Sequence, residues 1–221
     1  MRKITISTGE YYHIYNRGNK KQEIFRENRD WIRFLFCLLH FQSPINFPNI
    51  SRQISHYVQH RVFNIDKEKL TKIKRQRMVR LVCFCLMPNH FHFLVQQEKD
   101  SGIANYLQRL LNSYTKSFNI KYEQGGHLFQ GPYRAVHISD NDQLLYTSAY
   151  IHRNPKELKP WRDHESNYPW SSYQDYIKGN RWELLLDQEI IGEQFTNGKE
   201  YEKWVKSSGA KDPAYANELN L

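Results

Sequence analysis

Apolar and polar positions change period several times along this chain. The stretch "EYYHIYNRG" holds β-prone aromatics and stops at Asn16 to Gly18, a turn signal, which predicts a strand over about Tyr11 to Asn16. In "RDWIRFLFCLLHF" the residues Trp31, Phe34, Leu35, Leu38 and Leu39 recur at spacings of three and four, one wide helical face. The pattern then weakens from Gln42 to about Arg80, where two prolines precede the basic run "DKEKLTKIKRQRMVR"; the segment at about 42–79 reads as an insertion carrying a basic helix. "LVCFCLM" and "HFHFLVQ" are β-prone runs joined through Pro88 and Asn89, as in an antiparallel hairpin. "SGIANYLQRLLNSYTKSFNIKY" is amphipathic, opening at Ser101 and closing near Gly125, and a further strand is expected at about Arg134 to Ser139. "SDNDQLLYTSAYIHRNP" predicts a last helix, with cap candidates at Ser139 to Asp142 and Pro155 ending it.

The predicted order is strand, helix, hairpin, helix, strand, helix. This βαββαβ series implies an α+β fold, a ferredoxin-like or RNA-recognition-like sandwich with helices on one face of an antiparallel sheet and one helix extra. Residues 1–158 would form this unit, and 159–221 a C-terminal extension of short helices with a flexible polar tail.

Charge adds a partner to this picture. Lys and Arg number 32 against 23 Asp and Glu, a net +9 that favours a polyanion, nucleic acid first. Fifteen tyrosines, many near basic residues, suit stacking on bases as well as an aromatic core. Cys37, Cys83 and Cys85 lie in apolar runs and read as reduced, buried thiols. No stretch is long and apolar enough to span a bilayer, and no apolar signal core opens the chain, so a soluble, cytoplasmic protein with no membrane partner is expected.

Two constellations carry candidate chemistry. Residues two apart on a strand share a face, so His90 and His92 present two imidazoles side by side while Phe91, Phe93 and Val95 face away into the core. That pair suits a divalent metal, although a buried histidine is more often only hydrogen-bonded. On the last helix Tyr150 and Asn154 sit one turn apart, away from the stripe of Leu144, Leu145, Ser148, Ala149 and His152. The amide could be an oxygen ligand and the phenol a nucleophile beside it. His152, on the apolar stripe, reads as structural. His56 and His60 have helical i, i+4 spacing but fall in the weakly patterned insertion, where a solvated face is the simpler reading. Tyr114 competes as nucleophile, yet Asn119 lies five residues on and would be turned away from it.

Taken together, "MPNHFHFLV", "GHLFQGPYRAVHI", "YIHRNP" and "YPWSSYQDYI" resemble the single-tyrosine HUH transposases (histidine, hydrophobic residue, histidine), and among them the REP-associated tyrosine transposases of bacteria. The match runs from about Tyr11 to Tyr176. It implies an HUH nuclease fold and a bacterial, nucleoid-associated enzyme using Mg²⁺ or Mn²⁺ on single-stranded DNA with palindromic hairpins. By motif position it implies His90, His92 and Asn154 as metal ligands and Tyr150 as nucleophile. Attack on phosphorus would leave a 5′-phosphotyrosine and a free 3′-hydroxyl that can reverse the step. Arg17, Lys20, Lys21, Lys72, Lys74, Arg75, Arg77, Arg134 and Arg153 are candidate DNA contacts.

The rival readings are a non-catalytic nucleic-acid module, a silent relative that binds DNA or RNA hairpins, and a metal nuclease that uses water. Monomer and homodimer both remain open.

Overall fold

The structure is a computed structural model in which residues 5–211 are described. The expected tail, at 212–221, lies outside them. Strands β1 (Tyr11–Arg17), β2 (Val79–Met87), β3 (His90–Gln97) and β4 (Arg134–Ile138) form an antiparallel sheet in the order β2-β3-β1-β4. Helix α1 (Asn28–His40) joins β1 to the hairpin, with α2 (Ile50–His60) and α3 (Lys67–Gln76) between them; α4 (Gly102–Lys121) joins the hairpin to β4. Helices α5 (Asn141–His152), α6 (Tyr173–Lys178), α7 (Glu189–Gly192) and α8 (Gly198–Ser207) follow. The α+β, ferredoxin-like reading of the sequence is what the chain adopts.

Strand alternation sorts side chains into two cores. Tyr12, Ile14, Phe84, Leu86, Phe91, Phe93 and Val95 meet α1 and α4 on one face, where Phe34 touches Phe91, Phe93 and Tyr114. Of the expected apolar stripe of α1, Phe34, Leu35, Leu38 and Leu39 are buried and Trp31 is half-buried, but Ile32, Phe36 and Cys37 on its other sides are buried too. The cause is α2, whose Ile54 and Tyr57 cover α1 from outside. The insertion is therefore two helices with a packed face, and the weak apolar pattern reflects how few residues that packing needs.

On the second face Val82, Cys83, Cys85, Met87 and Leu94 pack against α5, α6 and α8. A break in the β2 register between Leu81 and Cys83 places the consecutive residues Val82 and Cys83 on this same side. The three cysteines are buried and unpaired by disulfides.

A buried polar network fastens α5 to the later elements. His152 Nδ1 meets the Tyr201 hydroxyl at 2.7 Å, its Nε2 meets Ser172 Oγ at 2.9 Å, and Tyr201 donates to Ser148 Oγ at 3.1 Å. Burial drives His152 down to about 3, so it stays neutral and acts as a bolt.

Candidate active site

Both histidines of β3 point to the second face, at the turn end of the hairpin. Their rings stand edge to face with centroids 5.2 Å apart. Each is tied through the same nitrogen: His90 Nδ1 lies 2.7 Å from Asn89 Oδ1, and His92 Nδ1 lies 2.9 Å from His13 Nε2. An imidazole that gives its Nδ1–H to such a partner keeps the Nε2 lone pair for another ligand. Burial holds His90 down at about 4 and His92 well below its ordinary value, so both are neutral at pH 7.

Sequence reasoning did not find His13 and Asn89 as part of this site. Alternation in "YYHIYNR" puts His13 on the same face as Tyr11 and Tyr15, but only the β1–β3 register, with Tyr15 opposite His92, brings it within reach. Asn89 was legible as a turn residue, and it serves as one while also holding His90.

Helix α5 supplies the opposite wall. Asp140 caps it, its carboxylate accepting from the Gln143 N–H at 2.8 Å. The helix stops at His152, two residues before the expected end, because the residue before a proline is pushed out of helical backbone. Asn154 instead opens a 3₁₀ turn, Asn154–Glu157, and its Nδ2 donates back to the Tyr150 and Ile151 carbonyls at 2.9 and 3.3 Å. The amide is thus oriented by its nitrogen. Its Oδ1 is buried beside His90, with which it interacts without completing a well-formed hydrogen bond. A buried carbonyl oxygen left unsatisfied costs about 1–3 kcal/mol, unless a ligand completes it.

Tyr150 is half-buried, its ring centre 5.6 Å from that of His92 and 5.9 Å from that of His13. The competing phenol, Tyr114, is buried on the other face of the sheet and donates to the Ile24 carbonyl. It cannot reach the histidines.

His13, Tyr15, His90, His92 and Tyr150 line a cavity of about 410 Å³, and Asn154 lies buried behind this lining. Arg17, opposite His90 across β1, and Arg134, opposite Tyr15 on β4, also line it, with Lys211 and one carboxylate, Glu157. The cavity is cationic before any metal is considered.

Other basic residues named from sequence lie elsewhere. Lys20 and Lys21 are exposed next to the hairpin turn, where the Lys21 carbonyl accepts from Asn89 Nδ2. Nine residues of β2, at roughly 3.3 Å each, separate the end of α3 from the turn that carries His90. Lys72, Lys74 and Arg75 are exposed on that helix and do not line the cavity. Arg77 is withdrawn altogether: its side chain is 10% exposed and pairs with Asp187 and Glu98. Arg153 is half-buried at the end of α5, on the Tyr173 side.

The donor set fits a divalent ion. Among the described residues no three His, Cys, Asp or Glu side chains are grouped as metal donors; the third donor beside the two Nε2 lone pairs is the Asn154 amide oxygen. His56 and His60 do lie close, tilted with ring centres 4.4 Å apart, but Nδ1 of His56 is turned to the Val62 carbonyl.

Among curated proteins none matches the chain. A solved REP-associated tyrosine transposase bound to a REP hairpin is similar over 86% of this chain and 93% of its own, with a TM-score of 0.52 at 11% identity, a likeness of fold. No helix among the described residues is long and apolar enough to cross a membrane. The family model of IS200-like transposases matches residues 49–154, a span that takes in both site histidines and Tyr150 and ends on Asn154. Over that span, just under half of the chain, the protein is similar to the IS200-like transposases.

Proposed function

We propose that this protein cleaves and rejoins hairpin-forming single-stranded DNA through a 5′-phosphotyrosine on Tyr150, with Mg²⁺ or Mn²⁺ held by His90, His92 and Asn154. The observation that carries the proposal is a half-exposed phenol facing two Nδ1-tethered imidazoles across one cavity, with the buried amide oxygen of Asn154 beside His90. Bound there, a divalent ion would polarise the scissile phosphate and offset the charge that builds on its oxygens. Imidazole donors favour Mn²⁺ over Mg²⁺.

The chain's own residues do the rest. Tyr150 supplies the nucleophilic oxygen, Arg17 and Arg134 attract the phosphate, and the fixed rings of His90 and His92 cost no reorganisation during attack. One phosphodiester replaces another, so the reverse step needs no external energy. The hairpin is assigned to the substrate because the similar solved transposase carries one.

Incubation with a pool of labelled single-stranded hairpins and Mn²⁺, read on a denaturing gel, tests this. A covalent protein–DNA band that His90→Ala abolishes is expected. Hairpin binding with no such band would leave a silent relative as the correct reading.

His13 is expected to matter without touching the ion. His13→Phe keeps the ring but leaves Nδ1 of His92 without its partner, and Mn²⁺ affinity should fall about 10–100-fold. Titration of the free protein followed by Mn²⁺ electron paramagnetic resonance measures it; an unchanged affinity would show that His92 orients itself.

A further inference from the structure

One wall of the cavity comes from the far end of the chain. Lys211, beyond α8, places its Nζ 4.1 Å from the centre of the Tyr150 ring and 2.7 Å from Glu157 Oε1. Its side chain is only 12% exposed, and Ala210 before it is fully buried in the second core. The ammonium is thus set at the nucleophile by packing. Lys211 also takes a φ of 67°, a left-handed backbone that a residue with a side chain adopts only when its surroundings impose it.

An ammonium has three N–H donors. Glu157 takes one, the ring face attracts the cation as a whole, and donors remain for a ligand in the cavity. A phosphate brought to the Tyr150 oxygen arrives beside this charge. Glu157, with its side chain 52% exposed, can turn to solvent when the phosphate takes its place.

We propose that Lys211 is a phosphate-binding catalytic residue, its ammonium contacting a non-bridging oxygen of the scissile phosphate and then of the phosphotyrosine. The proposal rests on the transesterification reading above. In that step the Tyr150 oxygen bonds to phosphorus, the bond from phosphorus to the 3′-oxygen breaks, and the phenol's proton ends on that oxygen. Nothing is oxidised or reduced, and Lys211 transfers nothing; it supplies charge where charge accumulates.

Lys211→Met keeps the aliphatic stem and removes the charge, and Lys211→Arg restores it. Single-turnover adduct formation with a hairpin substrate and Mn²⁺ should slow on the order of 100-fold in the Met variant, with most of the loss recovered in the Arg variant. The slope of log affinity against log salt for the same hairpin should fall by about 0.7, the value of one single-strand phosphate contact. A rate within twofold of wild type, a faster rate, or an unchanged slope overturns the proposal; a faster rate would mark Lys211 as a plug. If the wild type forms no adduct, the transesterification reading falls, and the salt slope alone decides Lys211.

Discussion

Tyr150→Phe is expected to abolish the covalent protein–DNA adduct, a loss on the order of 10⁴-fold or more, while hairpin affinity stays within about threefold of wild type. The substitution removes one oxygen. The ring keeps its contacts with His13, His92 and the ammonium of Lys211, so the wall of the cavity is preserved. Folding stability should change by no more than about 0.5 kcal/mol, as for a substitution that leaves buried packing in place. Adduct yield and hairpin affinity, measured on the same preparation, separate three chemistries. Loss of both adduct and cleavage makes Tyr150 the nucleophile. Cleavage that persists without an adduct would make water the nucleophile and Tyr150 part of the wall. A persistent adduct would point to another phenol, and Tyr15, the other cavity tyrosine, would be next to replace.

The protein should also unfold in mild acid, with a midpoint near pH 5, well before carboxylates titrate. Burial lowers His13 and His152 to about 3 and His40 and His90 to about 4, each from an ordinary 6.5, and lowers His92 as well. Below pH 6.5 the unfolded chain therefore takes up protons that the folded chain refuses. The stability is fully present above 6.5 and falls with pH by up to about 1.4 kcal/mol per unit for each histidine. Several such groups acting together would exhaust a typical margin of about 5–15 kcal/mol within one or two pH units. Circular dichroism against pH at fixed temperature gives the midpoint. Unfolding confined to below pH 4 would mean that these imidazoles find water or protons in the folded state.

The architecture was largely written in hydrophobic period. β-prone runs with their turn signals gave β1 and the hairpin, and helical periodicity with cap and proline signals gave α1, α4 and α5, each within a few residues of its observed limits. What local pattern could not carry was any relation between distant segments. His13 reaches His92 only through a strand register, and Arg77 is consumed by Asp187, 110 positions away. Lys211 reaches Tyr150 only because Ala210 is buried in a core assembled from several elements. Local backbone rules mattered too: Asn154 was expected within α5 and lies past its end, since Pro155 follows it, and its side chain closes the turn instead. Charge density misled in a similar way. The most basic run of the chain is α3, remote from the cavity, whereas the cations that line the cavity are scattered at Arg17, Arg134 and Lys211.

The polar bolt through His152 has a consequence for how such a chain can be divided or recombined. The family match ends on Asn154, yet Ser172 and Tyr201, beyond it, hold the helix that carries Tyr150. A fragment ending at 158 would retain Tyr150, His90, His92 and Asn154 but lose Lys211, and with it Tyr173, Tyr176, Tyr201 and Val205 from the apolar wall of Val82, Cys83 and Leu94. The reactive half and its extension are therefore one unit of inheritance: a graft that swaps one without the other separates the nucleophile from what aims it.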